Sequence, residues 1–154
     1  MSSGKLLAFT AAAAMVIMSA LPSNAMDDWI IKQSPDDVDT TTDRLIAVII
    51  KAGATVFARI NHQKGAMEAG LEMQPATVVL FGNPKIGTPI MKANPRAAID
   101  LPIRVLIWSE DGKTQIGALA PAALKARYGI EGVEKPFAKM GGALNKLMSA
   151  AAGE

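Results

Sequence analysis

The chain has a single histidine, His62, placed where a segment of strand character, Ala54 to Ile60, passes into a polar junction, Asn61-His62-Gln63-Lys64. Imidazole titrates near neutrality, so it can serve as a general base or ligate a metal or a haem iron. With no cysteine in the chain and no second histidine beside it, His62 is a weak metal candidate. The plainer expectation is a ring that caps or hydrogen-bonds the following helix. The turn Gly82 to Thr88 is a second candidate. Asn83 can cap a helix with Pro84 at its first position, and free backbone N–H groups, the Lys85 ammonium and the Thr88 hydroxyl would together suit an anion. This turn lacks the glycine spacing and the Gly-Lys-Ser/Thr ending of a nucleotide-binding loop, so a rigid turn set by Gly and Pro competes with the anion reading. Third, Asp100 and Arg104 bracket Leu101-Pro102-Ile103 at the start of a strand. Residues four apart on a strand share a face, so these two either pair with each other, the commoner outcome, or present opposite charges to a ligand.

Other chemistry is thinly represented. Met67, Met73 and Met91 offer thioethers that suit Cu(I), but they form no clustered run, and methionine more often fills cores. Ser109 beside Glu110 has no nearby histidine for a triad, and no nucleophile elbow, paired carboxylates or His-Glu-x-x-His motif occurs. No residue pattern specifies a reaction, and no cofactor can be named.

The elements that must position these residues follow from periodicity and punctuation. Trp29 to Gln33 is short and β-like, and Ser34, Pro35, Asp36 and Asp37 form a helix start with acidic residues at its positive end. The helix stripe is Val38, Thr42, Leu45, Ile46 and Ile49, ended by Gly53. In the strand Ala54 to Ile60, Val56, Ala58 and Ile60 alternate with Thr55, Phe57 and Arg59. A short helix ends at Gly70, and Ala76 to Phe81 is a continuous apolar run expected of a central strand covered on both faces. Gly87 and Pro89 make the helix after Asn83 short or irregular, and Ala93 to Asp100 reads as a loop. Pro102 to Trp108 and Thr114 to Leu119 are strands joined by a tight hairpin at Glu110-Asp111-Gly112-Lys113. Pro121 opens a helix ending near Gly129, and a final amphipathic helix, 134–150, carries Phe137, Met140, Leu144, Leu147 and Met148 on one side. The order β-α-β-α-β-α-β-β-α-α argues for an α+β fold, a two-layer sandwich with a mixed or antiparallel sheet of about five strands and helices mainly on one face.

Several blocks in this order resemble a known family. Ile60-Asn61-His62, Ala69-Gly70-Leu71-Glu72-Met73-Gln74-Pro75, Phe81-Gly82-Asn83-Pro84-Lys85, Gly87-Thr88-Pro89 with Met91, and Asp100-Leu101-Pro102 with Trp108 are similar to the bacterial and archaeal domain of unknown function 302. The resemblance spans about Val38 to Gly129. It implies a compact α+β fold, usually a homodimer, and no established activity. The chain departs from the family after Gly112, where Gly117-Ala118-Leu119-Ala120-Pro121 stands in place of an aromatic residue and an Asn before Pro.

Compartment follows from the amino terminus. Lys5 precedes an apolar run from Leu6 through Leu21, Pro22 breaks it, and Ser23-Asn24-Ala25 supplies small residues for cleavage after Ala25. The expected organisation is a signal peptide over 1–25 and one α+β domain over 26–154, with no stable membrane insertion after cleavage, since the run is short for a bilayer span. The product would be periplasmic or secreted. Sixteen Lys and Arg stand against fourteen Asp and Glu, interspersed, which gives no basic stripe for nucleic acid. The absence of cysteine excludes disulfides, c-type haem attachment and thiolate metal sites.

The resulting expectation is a ligand-binding or accessory protein, working as a homodimer. Its shallow site would comprise His62, Asn83, Lys85, Thr88, Asp100 and Arg104, all at strand ends, taking a small anionic ligand or a haem-like cofactor. The alternatives are a small enzyme with His62 as general base beside Asp100 or Glu68, and an interaction module docking through its C-terminal helix.

Overall fold

The computed structural model describes residues 28–154; the expected signal peptide and its cleavage point lie outside them. Five strands form one sheet: β1 (Trp29–Ser34), β2 (Thr55–Asn61), β3 (Ala76–Gly82), β4 (Ile103–Glu110) and β5 (Lys113–Leu119). Their order across the sheet is β1-β5-β4-β3-β2, and every neighbouring pair is antiparallel. The helices are α1 (Val38–Lys51), α2 (His62–Glu68), α3 (Pro84–Ala93), α4 (Pro121–Tyr128) and α5 (Glu134–Ala152), with a 3-10 turn over Pro95–Ile99 where an unstructured loop was expected. The class is α+β with an open antiparallel sheet, as the pattern of elements implies.

One face of the sheet carries the core. Val79, Phe81, Val105, Ile107, Ile116 and Ala118 alternate inward from β3, β4 and β5 and are packed by Leu45 and Ile49 of α1 and Leu144 and Met148 of α5. Ile46 is only half-buried, and Thr41 takes the place beside Thr42 in the buried stripe of α1. A second cluster, Ile90, Ala97, Leu124, Ile130, Phe137 and Met140, joins α3, α4 and α5. The apolar stripe of α5 is therefore spent inside the molecule, shared between both clusters. The docking alternative through this helix accordingly lacks a free apolar face.

The opposite face has no such cover. Strand β3 alternates between buried and half-buried residues, so its apolar run is not enclosed on both sides as expected. Ile31, Gly117, Leu106, Val78 and Ile60 are register partners in one row across all five strands, on that outer face. Trp29, Ile31 and Ile60 are among the exposed large hydrophobic residues. The rings of Trp29 and Trp108 lie over Gly117, where a Cβ would stand 2.8 Å from Trp108 Cζ3 and 3.1 Å from Trp29 Cε3. The small residue on β5 is what lets both indoles lie against the sheet.

Local departures from the sequence pattern have identifiable causes. The cap of α1 is Asp37, whose side chain accepts 2.7 Å from the Thr40 N–H, rather than Ser34. Ser34 is instead the last residue of β1, buried and hydrogen-bonded at 2.7 Å to the Thr41 hydroxyl. A bulge at Phe57 shifts the register of β2, so Val56 and Arg59 pair with helix-side residues while Ala58 and Ile60 pair with outer-face residues. Arg59 uses its side to bind Asp39 and Asp43 of α1 at 2.9 and 2.5 Å. Pro89 does not break α3, which runs unbroken to Ala93. The hairpin is a two-residue turn in which Asp111 and Gly112 both have positive φ, 50° and 73°, between paired Glu110 and Lys113. That geometry twists with the strands and favours an Asp-Gly pair.

Candidate functional site

The antiparallel pairing decides which sequence-selected residues share an end of the sheet. Thr55 is opposite Gly82, and Phe81 is opposite Ile103, so Asn83 and the loop carrying Asp100 leave the sheet together. Asn61 is opposite Thr77 at the other end of the same strand. At about 3.3 Å per residue, the seven residues of β3 separate the two ends by about 20 Å. His62, the exposed first residue of α2, is therefore not brought to Asn83, Thr88, Asp100 and Arg104. The cap of α2 is the Asn61 side chain, which accepts 2.8 Å from the Lys64 N–H.

At the end where Asn83 sits, the turn after α1, the ends of β2 and β3, α3, α5 and the loop before β4 border an open cavity of about 250 Å³. Its wall is almost wholly apolar, with Phe57, Phe81, Ile86, Met91, Leu101 and Leu147 among the lining side chains. Asn83 and Thr88 are the polar side chains on it, whereas Lys85 is exposed and does not line it. Gly82 lies against Pro102 and Phe57, where an added Cβ would make ordinary contact at 3.4 and 3.6 Å.

The start of α3 holds its own N–H groups. The Asn83 side chain accepts from the Lys85 N–H at 2.9 Å, and the Asn83 carbonyl accepts from Ile86 and Gly87 at 2.9 and 3.0 Å. An anion at this turn would have to displace hydrogen bonds already made, so the rigid-turn reading describes the local geometry.

Positive charge gathers a short way along, around Asp100. The Asp100 carboxylate, whose side chain is 9% exposed, accepts from Arg104 through one oxygen and from Arg127 (2.9 Å) and the Tyr128 hydroxyl (2.7 Å) through the other. Burial pushes the Asp100 carboxyl up, but the hydrogen bonds from Tyr128 and Arg127 and the charges of Arg127 and Arg104 outweigh it, leaving the group below the usual carboxylate range. The Tyr128 phenol is raised, chiefly by its bond to this carboxylate. Asp100 and Arg104 thus pair as their spacing suggests, but within a four-residue cluster whose α4 members, Arg127 and Tyr128, sequence spacing could not supply. Adjacent Arg and Tyr in the last turn before Gly129 were visible; what they reach depends on how α4 packs. A smaller hollow of about 40 Å³ lies against this cluster, lined by Asp100, Arg104, Leu119, Pro121 and Leu124. Leu101, Ile103, Met140 and Leu144 line it and the larger cavity alike.

Among the described residues no group of three or more His, Asp or Glu side chains is placed to hold a metal ion, and no helix is long and apolar enough to cross a membrane.

Comparison with known proteins places this architecture. Residues 30–149 match the family described as Domain of unknown function DUF302, a span that takes in most of β1 and most of α5 beyond the blocks that carry the resemblance. The crystal structure of an uncharacterized conserved protein of that family from Bacillus stearothermophilus superposes with a TM-score of 0.73 over 80% of this chain and 98% of that one, at 18% identity, a likeness of fold. Over 99 residues, 64% of this chain, the sequence is 37% identical to proteins named fluoride-specific ion channel FluC 1 from Brucella suis biovar 1 and Brucella abortus biovar 1. The matched stretch spans 39% and 37% of those proteins' lengths, less than two fifths in each.

Proposed function

This chain belongs to the DUF302 family, which supplies a fold and no assigned activity, and we propose that it is an exported small-ligand-binding domain whose site is the apolar cavity at the Asn83 end of the sheet. The observation that carries this reading is the cavity itself. At about 250 Å³ it exceeds the roughly 150 Å³ void that admits benzene and approaches the lower bound, about 300 Å³, of ordinary small-molecule sites. Its apolar wall, in which Asn83 and Thr88 are the two polar side chains, favours a hydrocarbon-like body. Export is supported by the charged, apolar and small-residue sequence of the first 25 residues. Pairing of two copies is supported by the half-exposed apolar row of the outer face. The geometry gives less to the other readings. A general base at His62 has Asp100 at the far end of the sheet, and a haem ligated by His62 would lie away from the cavity.

The test uses native mass spectrometry of the protein purified from its own cells. Ala143 is an exposed residue of α5 that lines the cavity, so Ala143→Phe fills the space without displacing a buried side chain. The wild-type protein is expected to carry a small-molecule adduct that the variant loses at unchanged melting temperature. An identical adduct profile, or none in either protein, would count against a cavity ligand.

A further inference from the structure

We infer that the ligand is a single-chain amphiphile with an anionic head group, its tail in the large cavity and its head at Arg104 and Arg127. This deepens the cavity reading and rests on it. Three observations converge. The first is charge: one carboxylate, Asp100, faces two guanidinium groups, so the cluster carries an excess positive charge at the surface. The second is unused donor capacity. A guanidinium has five N–H donors in a fixed fork, and each of these two gives Asp100 a single hydrogen bond while its side chain remains about half exposed, 49% for Arg104 and 50% for Arg127. A carboxylate or phosphate group can be received by the remaining N–H groups without dismantling the Asp100 pairings.

The third is continuity. Leu101, Ile103, Met140 and Leu144 line the large cavity on one side and the hollow beside Asp100 and Arg104 on the other. These four residues form the partition shared by the two spaces. Met140 is unbranched, with three rotatable bonds, and is the member of the partition best able to turn aside. A tail held among Phe57, Phe81 and Leu147 would then pass this partition and bring its head to the arginines. The size of the space selects one chain: at about 30 Å³ per water-sized group, 250 Å³ holds about eight carbons and leaves no room for a second tail. A free fatty acid or similar monoacyl anion fits this description, and a two-tailed membrane lipid does not. The start of α3, whose N–H groups Asn83 already satisfies, is not the head-group site.

The test compares decanoate with 1-decanol, the same tail with and without the charge, by isothermal titration at neutral pH on the full protein. Decanoate is expected to bind about tenfold more tightly, the scale of a pair of charge-assisted hydrogen bonds. Arg104→Gln combined with Arg127→Gln should reduce decanoate to the affinity of decanol while leaving decanol unchanged, which also certifies the fold of the variant. Raising the salt concentration should weaken decanoate alone. Equal affinity of the wild-type protein for the two probes overturns the head-group inference while leaving the cavity reading intact, and needs no variant to establish. Binding of neither probe, with Ala143→Phe also without effect on the native adducts, overturns both.

Discussion

The two faces of this sheet are built from alternate residues of the same five strands, yet they have had different fates. Val105 and Ile107 on β4 are fully buried in the core with α1 and α5, while their neighbours Leu106 and Trp108 remain half-buried on the face away from those two helices. The composition of the strands differs little between faces; what differs is cover. Because a strand turns every second side chain the same way, a continuous apolar run such as Ala76 to Phe81 cannot itself say whether one face or both will be enclosed. The outer face is apolar without being core, which is the usual condition of a surface that meets something else.

The largest effect that separates the faces is expected from neighbouring truncations on one strand. Ile107→Ala removes a fully buried side chain and should cost about 3–4 kcal/mol in denaturant unfolding. Leu106→Ala, on the outer face, should cost about 1 kcal/mol. Where copies pair through the outer face, the cost of Leu106→Ala should rise above this with protein concentration; a cost that does not change with concentration would leave the face a free surface.

A smaller effect is expected at Gly117. Its backbone does not require glycine, but an added Cβ would meet both indole rings, 2.8 Å from Trp108 and 3.1 Å from Trp29. Crowding of this kind costs about 1–3 kcal/mol. Alanine also restricts the unfolded chain and returns about 0.4–1 kcal/mol, so Gly117→Ala should destabilise by about 1 kcal/mol. The chain has only two tryptophans and both lie here, so intrinsic fluorescence reads this patch alone. A red-shifted emission should accompany the loss of stability. An unchanged spectrum would mean the rings do not rest on β5 in solution.

Much of this arrangement could be read from the chain, for reasons that also mark where reading stops. The Asp111-Gly112 turn, the Asn83-Pro84 helix start and the Gly129 helix end were legible because each depends on the dihedral or hydrogen-bonding habit of one or two residues. The cap of α1 was misplaced because Ser34 and Asp37 are both competent caps, and the buried hydroxyl pairing of Ser34 with Thr41 settles the choice through tertiary contact. The bulge at Phe57 left no trace in the alternation of β2. At the site, Asp100 with Arg104 was legible as a same-face pair, whereas Arg127 and Tyr128 reach the carboxylate from 27 and 28 residues away, by way of α4. His62 attracted attention by its type alone, and side-chain type does not reveal which end of a seven-residue strand a residue will occupy.

The most diagnostic effect concerns Thr77, the second residue of β3, on the sealed face. Its side chain is fully buried, and among the described residues its hydroxyl is the buried side-chain polar atom without a hydrogen-bond partner. The buried Ser34, Thr41 and Thr42 hydroxyls, by contrast, are all hydrogen-bonded. Valine has nearly the shape of threonine and the same preference for strands, and removes the desolvated group. Thr77→Val should therefore raise stability by about 1 kcal/mol, seen as a melting temperature higher by about 2–4 °C. A fall instead would place a hydrogen-bonding partner, such as an internal water, beside β3 in solution. The helix-covered face would then be less dry than its side-chain packing implies, and the contrast between the two faces would narrow from sealed against open to a difference of degree.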